Sequence, residues 1–491
     1  MRKSSLIGIL APDRRTCQTE VERNAKTIEI KKPLTALWNA LLARQGIVAY
    51  LPIIIVTILM LCAASWQFFW LNTDPARYQC YALTFWLGSS GAQLLPAIQC
   101  SFLHISSVAY PPFQMLPLEY PPLTLAIFSL ALFAPLLYYQ VVFAVLMALT
   151  SALIYWLLLR YGPRGAALAF AFYLLIGAWT LALERFDLVP AALTLLCLIA
   201  AERKHWTVAY IAIASGFLLK IYPILFLPAL FIAEQQDAQR FYIPLTSLTF
   251  KTLPGELWCT LQGMRHWRWK NTLLLLGILL GVTGFFALFD FQGAVLSQVS
   301  YFSNRPMHVE ATGSTLLWLG TLIGFPVHIV YSFGSINMIS ALAGIVALLF
   351  EMLFVLGYVY IIFLQWRGKL DIVQTCIALL LVFIVTGKVF SPQYLIWVIP
   401  LLAYSGAFSN LWLVAWGSVS LLTMIIYSYF YTRIIDTIKM PYIAGFIQFV
   451  AARNALFTLL TLAYLFNWFN IRRRKALPSD IVEKETDALS G

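Results

Sequence analysis

The stretch Ile47–Leu71 reads IVAYLPIIIVTILMLCAASWQFFWL and carries no charged side chain. A helix needs about 20 predominantly apolar residues to cross the hydrocarbon core of a bilayer. Comparable apolar stretches recur along the chain as far as Trp468. The stretch therefore predicts the first crossing of a protein that passes through a membrane many times.

The composition agrees with a lipid solvent. Of the 491 residues, 61% are hydrophobic and 11% are charged, whereas a soluble protein carries about 25% charged residues. So little polar surface does not cover a water-facing globule. We therefore expect an all-α integral membrane protein.

Basic residues at both ends of the chain predict its orientation. The net charge is +12, and many of the cations lie before Ile47 or at positions 472–475, directly after the last apolar stretch. Basic clusters of this kind mark the cytoplasmic face, where they meet anionic lipids, so we expect no nucleic acid partner. We expect a cytoplasmic tail over residues 1–46, a transmembrane domain over 47–469 and a second cytoplasmic tail over 470–491.

The positive-inside rule then predicts a bundle of about twelve crossings with a long first outer loop, from Asn72 to Tyr120. Two apolar segments do not fit as crossings. Pro122–Ala134 is well short of 20 residues, so we expect a helix in the outer interface. The segment 315–335 is interrupted by glycines and a proline, so we expect it to be re-entrant or interfacial.

Several ionisable groups remain at the predicted outer boundary. A charge at membrane depth costs about 3 kcal/mol on insertion scales, which makes each such residue a functional candidate. Asp74 follows the first crossing, while Lys220, Arg305 and Lys388 come from distant parts of the chain and lie near prolines or helix breaks. Taken singly, Asp74 also suits a helix start, and each lysine or arginine could extend to the interface.

Together, these groups suit a lipid-linked phosphate substrate. Such a substrate keeps its tail in the bilayer and its phosphate at the interface, where cations bind it. A nearby carboxylate is able to act as a general base towards a hydroxyl acceptor.

Four short motifs carry a resemblance to a known group of proteins. They are the Asp after the first crossing, Glu119-Tyr120-Pro121-Pro122-Leu123, Lys220-Ile221-Tyr222-Pro223 and Ser391-Pro392-Gln393-Tyr394-Leu395. In this order the chain resembles the GT-C superfamily of membrane glycosyltransferases, and within it glycosyltransferase family 87, the polyprenol-phosphate-mannose-dependent mannosyltransferases. Lys-Ile-Tyr-Pro is also similar to a motif of the glycosylphosphatidylinositol mannosyltransferases.

The resemblance implies a GT-C-like bundle whose first outer loop contains juxtamembrane helices. It also implies transfer of a hexose, with mannose as the expected sugar, from a polyprenyl-phosphate donor to a hydroxyl of a lipid or glycan acceptor, with inversion. The reaction would take place at the outer face of the inner or plasma membrane of the cell envelope, in contact with membrane lipids. Neither a cofactor nor a metal is implied.

The resemblance also assigns roles to residues. Asp74 would be the general base, and Lys220 and Lys388 would bind the departing phosphate, with Arg305 as a third candidate. For the substrate groove we predict Tyr78, Glu119, Tyr120, Glu310, Gln393 and Tyr394, with Glu310 included because it lies near Arg305 in the sequence. A second Tyr110-Pro111-Pro112 occurs in the outer loop, and we prefer Tyr120 because an apolar helix follows it.

Alternatives remain at this point. A flippase or transporter of a lipid-linked substrate would also need cations at the outer face. A glycan polymerase or ligase that acts on lipid diphosphates would share the reaction class but not the donor.

Three further features concern the pairing of Glu351, a possible disulfide and metal binding. Glu351 lies midway along an apolar helix, and we expect it to pair with a polar neighbour inside the bundle. Cys80 and Cys100 share the outer loop, and whether they pair depends on an oxidising compartment. The histidines do not cluster and the cysteines lack metal-ligand spacing, so we predict no metal site.

Overall fold

The computed structural model describes Leu41 and residues 46–103, 110–240, 252–406, 410–431 and 437–468. Nearly all of the two predicted tails lies outside these residues. The boundaries at 46 and 469 therefore stay predictions.

The described chain is mainly helical. The α-helices are α1 (Leu51–Ala64), α2 (Asp74–Leu87), α3 (Ser89–Gln93), α4 (Thr124–Leu130), α5 (Tyr139–Tyr161), α6 (Ala166–Ala178), α7 (Leu188–Glu202), α8 (Trp206–Leu219), α9 (Leu227–Asp237), α10 (Leu253–Gln262), α11 (Lys270–Ala287), α12 (Ser297–Asn304), α13 (Thr312–Gly320), α14 (Ala343–Trp366), α15 (Ile372–Thr386), α16 (Tyr394–Ser405), α17 (Asn410–Ile425) and α18 (Phe446–Leu465). Apolar helices dominate this set, which confirms the membrane-like, helical character predicted from composition.

Six helical stretches are long and apolar enough to cross a bilayer by themselves. They are Ile47–Gln67, Leu136–Tyr161, Lys270–Ala287, Ala343–Trp366, Asn410–Phe430 and Phe446–Leu465. Other apolar helices have 10–17 residues and reach about 15–25 Å, less than the hydrocarbon core of about 30 Å. The prediction of about twelve crossings therefore stays a prediction.

Long and short helices differ in what surrounds them. The short helices α7, α15 and α16 are buried along most of their length. By contrast, only 17% of the apolar window is buried in each of the long helices α11 and α14. The short helices α7, α15 and α16 thus lie in the interior of the bundle, whereas α11 and α14 leave most of their apolar side chains exposed for contact with lipid.

The segment Asn72–Tyr120, which we predict to be the first outer loop, is largely helical in its described part, as expected. It contains α2, α3 and a 3₁₀ helix, Ala97–Leu103. A disulfide joins Cys80 of α2 to Cys100 of the 3₁₀ helix, which answers the question that the sequence left open. Beyond the loop, Pro122–Ala134 holds the short helix α4, which packs against α2.

A small antiparallel sheet departs from the all-α expectation. Its strands are β1 (Met307–His308), β2 (Val327–Ser332) and β3 (Ser335–Ser340), in the order β1-β3-β2. The segment 315–335, predicted to be re-entrant or interfacial, thus contains the end of α13 and all of β2. Short strands with weak alternation gave no period-2 signal that would have predicted this sheet.

The turn between β2 and β3 brings the sheet to the first outer loop. Phe333 and Gly334 have φ values of 55° and 65°, as a two-residue hairpin turn of type I′ requires. A β-carbon on Gly334 would lie 2.6 Å from Glu119 Oε1. A side chain at position 334 would therefore have to displace the Glu119 carboxylate, and the positive φ also favours glycine.

Candidate active site

A cavity of about 1820 Å³ opens where the first outer loop, the hairpin and two helix breaks meet. Asp74, Lys220, Arg305 and Lys388 all line it. So do four residues predicted for the substrate groove, namely Glu119, Tyr120, Gln393 and Tyr394. All four sequence motifs contribute to the wall of this one cavity, although they are far apart in the sequence.

Asp74 is held at the first turn of α2. Thr73 precedes it as the N-cap, and its hydroxyl accepts a hydrogen bond from Ala76 N at 3.3 Å. The positive end of the helix dipole favours a carboxylate at this position. Asp74 Oδ2 pairs with the guanidinium of Arg185, while Oδ1 has no partner among the described residues.

One turn further along α2, Arg77 lines another part of the cavity wall. Its Nη2 lies 2.5 Å from Glu119 Oε1, and its guanidinium stacks 4.6 Å from the centre of the Phe102 ring. Because Gly334 rests on the same pair, the hairpin tip, α2 and the Glu119 motif are joined at one point.

Asp187 holds Lys220 in place from beneath the cavity. Its carboxylate is fully buried, and Oδ1 accepts from Lys220 Nζ at 3.0 Å and from Trp397 Nε1 at 2.6 Å. Burial lowers the pKa of the Lys220 ammonium below its usual value. The Asp187 carboxylate opposes this shift but does not cancel it. Trp397 lies one turn beyond the Gln393-Tyr394 motif, so Asp187 connects two of the four motifs directly.

Aromatic rings surround the Lys220 ammonium. Nζ lies 4.6 Å from the centre of the Phe186 ring, 5.3 Å from that of Tyr120 and 5.6 Å from that of Trp397, distances at which a ring attracts a cation. Trp397 is itself stacked between Tyr222 and Tyr394, at 4.3 and 4.0 Å. These contacts hold the Lys-Ile-Tyr-Pro motif and the Pro-Gln-Tyr motif together in the folded protein.

Tyr78 supports this wall and is fully buried. Its ring stacks on Phe128 at 4.2 Å and meets Tyr120 edge-on at 5.8 Å. The structure thus gives Tyr78, predicted for the groove, a packing role behind Tyr120.

The remaining two cations differ in their pairing. Lys388 Nζ lies 3.0 Å from Glu351 Oε1, and the Glu351 side chain is 59% exposed. Glu351 therefore pairs as predicted, but at the cavity and not in the interior of the bundle. Arg305 has no carboxylate partner among the described residues; its guanidinium lies 5.2 Å from the centre of the Tyr301 ring, and its Nε is buried without an acceptor.

Glu310, also predicted for the groove, is engaged elsewhere. It is fully buried, and its carboxylate accepts from Arg453 Nη1 at 2.7 Å and from the Tyr431 hydroxyl at 2.6 Å. Tyr431 lines the cavity, so Glu310 supports the wall from behind.

Sequence reasoning missed Arg185 and Asp187 as site residues. Both were visible as charges between two apolar stretches, but no motif marked them. Their neighbour Glu184 is also close to Asp74, and burial, with a contribution from Asp74, raises its pKa to about 8. In the orientation that faces the carboxylate, the Gln67 amide nitrogen lies 2.6 and 2.9 Å from the two Glu184 oxygens.

His308 does not add a charge to the cavity. It is buried in β1, and burial, aided by Arg305 and Arg453, lowers its pKa to about 3. Within the described residues, no group of three or more histidine, cysteine, aspartate or glutamate side chains is placed to hold a metal ion.

The fold and the site together define a helical membrane protein with a charged cavity. Residues 118–268 match the family model of glycosyltransferase family 87, which confirms the resemblance and supports glycosyltransferase activity. The matched segment contains the Glu119 motif, Arg185, Asp187 and the Lys220 motif. No curated protein matches the chain.

Proposed function

We propose that the protein transfers a hexose, mannose being the expected sugar, from a polyprenyl-phosphate donor to a hydroxyl of a lipid or glycan acceptor at the outer membrane face. The observation that carries this proposal is the composition of one cavity. Asp74 and Arg305 both line it. Among the described residues, one Asp74 carboxylate oxygen has no partner and the Arg305 guanidinium has no carboxylate partner.

A lipid-linked donor is favoured by where the cavity reaches the surface. Glu351 and Phe354 line it from α14 and Phe383 lines it from α15, and α14 is one of the helices that face lipid. The phosphate of a lipid-linked sugar is therefore able to approach Lys388 while its polyprenyl tail stays in the hydrocarbon. The pair of Lys388 and Glu351 is exposed, and such pairs contribute only about 0–1 kcal/mol, so a phosphate is able to replace Glu351.

In the proposed reaction, the acceptor oxygen attacks the anomeric carbon as the bond from that carbon to the phosphate oxygen breaks. The acceptor proton passes to Asp74 Oδ1, and polyprenyl phosphate leaves with the electron pair of the broken bond. Arg305, Lys388 and the free N–H groups of Lys220 stabilise the negative charge that develops on the phosphate. Arg185 orients Asp74 and loses its counter-charge as Asp74 becomes protonated.

The test uses the purified full-length protein with polyprenyl-phosphate hexoses and extracted membrane lipids, and identifies products by mass. Asp74→Asn is expected to reduce turnover by about 10²–10⁴-fold, the usual effect of a positioned base. Asp371→Asn is the matched control, because Asp371 caps α15 by accepting from Gln374 N at 2.8 Å and Asn caps helices equally well.

Asp74→Glu separates loss of the base from loss of the ion pair, since it retains a negative partner for Arg185. We expect Asp74→Glu to keep wild-type thermal stability and part of the activity. Near-normal turnover by Asp74→Asn would remove Asp74 from the mechanism. Movement of a lipid-linked substrate between leaflets without a new glycosidic bond would favour a flippase, and transfer only from diphosphate donors would favour a polymerase or ligase.

A further inference from the structure

The wall of the cavity that contains α12 carries opposite charges at its two ends. Asp290 precedes a helical run over residues 291–304, and Arg305 follows it. Both residues line the cavity. A run of this length extends about 20 Å, so the carboxylate and the guanidinium mark distant ends of the same wall.

Asp290 is a charged group that the protein itself does not use. It is partly buried, and its carboxylate has no hydrogen bond or ion pair with any described residue. A β-carbon on Gly293 would lie 2.3 Å from Asp290 Oδ2, so the glycine makes room for the carboxylate. Gly293 belongs to a π-helical turn, Gln292–Leu296, a rare geometry that is frequent at functional sites.

Between Asp290 and Arg305 the wall is polar but uncharged. No lysine, arginine, aspartate or glutamate occurs from 291 to 304. The polar residues of this run that line the cavity include Gln292, Ser297, Gln298, Ser300 and Ser303. Amide and hydroxyl groups exchange hydrogen bonds with sugar hydroxyls, whereas a polyprenyl chain would leave them without partners. This wall therefore suits a glycan and not a lipid tail.

Asp290 is also distant from the proposed base. The ring of its neighbour Phe289 lies 5.8 Å from that of Phe113, which in turn lies 5.4 Å from that of Phe85. Phe85 is in the last turn of α2, about 16 Å along the helix from Asp74 in the first turn. A ligand that touches both carboxylates is therefore longer than one hexose.

We propose that Asp290 is a specificity-determining residue that binds hydroxyl groups of an extended, neutral glycan acceptor. That the glycan is the acceptor rests on the proposed function. The sugar with the reacting hydroxyl lies at Asp74, and the chain continues along α12 until a sugar nearer its reducing end donates hydrogen bonds to Asp290. An anionic group at that point would meet a like charge, which disfavours the wrong ligand.

The test measures ligand binding to the purified full-length protein by isothermal titration calorimetry, without a donor. The probes are manno-oligosaccharides of two to five residues, each with its reducing end either reduced to a neutral alditol or oxidised to an anionic aldonic acid. For the five-residue chain, wild-type protein is expected to bind the alditol about tenfold more tightly, as one hydrogen bond to a charged group allows. The two-residue chain does not reach Asp290, so we expect no preference for its alditol.

Asp290→Asn preserves the volume of the side chain and removes its charge. We expect this variant to bring the ratio of alditol to aldonic acid affinity for the five-residue chain close to one. Asp371→Asn, an equal charge change outside the lining residues, leaves the ratio unchanged. A preference that survives Asp290→Asn, equal or tighter binding of the five-residue aldonic acid by wild-type protein, or no binding of any probe would overturn the inference. If Asp290→Asn does not fold, the two end groups compared on wild-type protein decide alone.

The role of Asp290 and the proposed function fail separately. Transfer from a polyprenyl-phosphate hexose without the end-group preference would leave the proposed function standing and remove Asp290 from acceptor binding. The end-group preference without transfer to any acceptor would retain the glycan site and refute the proposed function.

Discussion

Glu310→Gln tests whether Glu310 supports the cavity wall or contacts substrate. Both Glu310 and Arg453 are fully buried, and the variant removes the negative charge from their pair. Glutamine preserves the volume and one oxygen acceptor. Arg453 would keep only neutral acceptors, Glu310 O at 2.6 Å and Asn454 Oδ1 at 3.0 Å, and the face of the Phe390 ring at 4.0 Å.

The expected loss follows from the uncompensated charge. Removal of one partner of a buried ion pair lowers the free energy of unfolding by about 3–5 kcal/mol. Because the retained acceptors still solvate the guanidinium, we expect a value near the lower end, about 3 kcal/mol. Denaturant titration in mixed micelles, followed by tryptophan fluorescence, measures this loss.

A double-mutant cycle isolates the pair. Arg453→Gln alone should lower the free energy of unfolding as much as Glu310→Gln does. The double variant should lose less than the sum of these two losses, because neither charge then remains unpaired. Folded Glu310→Gln protein should retain its transfer rate. Unchanged stability combined with loss of transfer would refute this reasoning and return Glu310 to the substrate groove.

Three more predictions concern the cavity and its outer rim. Arg305→Met should lower kcat/KM for the lipid-linked sugar by about 100-fold, as expected for loss of one group that stabilises developing charge. Arg305→Lys should recover part of the lost activity. An unchanged kcat/KM in Arg305→Met would exclude Arg305 from phosphate binding. Glu184 has a native pKa of about 8 against an ordinary value of 4.5, so its contribution to stability is complete below about pH 4.5 and is lost as the pH rises to about 8. The thermal midpoint of wild-type protein should therefore fall relative to that of Glu184→Gln across this interval, and parallel curves would contradict the shift. Replacement of Cys80 and Cys100 by Ser opens a crosslink with a separation of 20 residues and should cost about 3 kcal/mol; reductant should lower the thermal midpoint of wild-type protein only.

The helical, apolar character of the fold was predictable, because the chain contains long uncharged apolar stretches, and a helix satisfies its own backbone hydrogen bonds in lipid. The number of membrane crossings was harder to predict from the sequence. Helices such as α7 and α16 are too short to span alone, and a hydropathy pattern does not show which helices pack inside the bundle. The small sheet was missed because β1 has two residues and the alternation in β2 and β3 is weak.

Within the site, motifs predicted residues that share a cavity but not the contacts between them. Lys220, Tyr222 and Tyr394 meet through Trp397 and Asp187, and neither of these two residues was marked by a motif. Asp187 and Arg185 appeared only as loop charges, because a sequence does not reveal that one is fully buried and the other faces Asp74. Glu310 was assigned from its position beside Arg305, whereas its partner Arg453 lies in a different helix, α18.

The pairing of charges also bears on how a charged cavity persists at a membrane boundary. Among the described residues, five lysine and arginine side chains line the cavity. Four of them have a carboxylate partner: Arg77, Arg185, Lys220 and Lys388. Unpaired charges in such a place would be costly, so the pairs reduce this penalty. Ion pairs that differ in exposure also differ in how readily the cation exchanges its carboxylate partner for another anion. The exposed pair of Lys388 with Glu351 is able to open to a phosphate, whereas the buried pair of Lys220 with Asp187 keeps the ammonium in place among its aromatic rings. In the proposed reaction, the donor would meet Arg305, which has no carboxylate partner among the described residues, together with the releasable Lys388 and the fixed Lys220. This arrangement would favour a phosphate at a defined position over diffuse attraction of any anion.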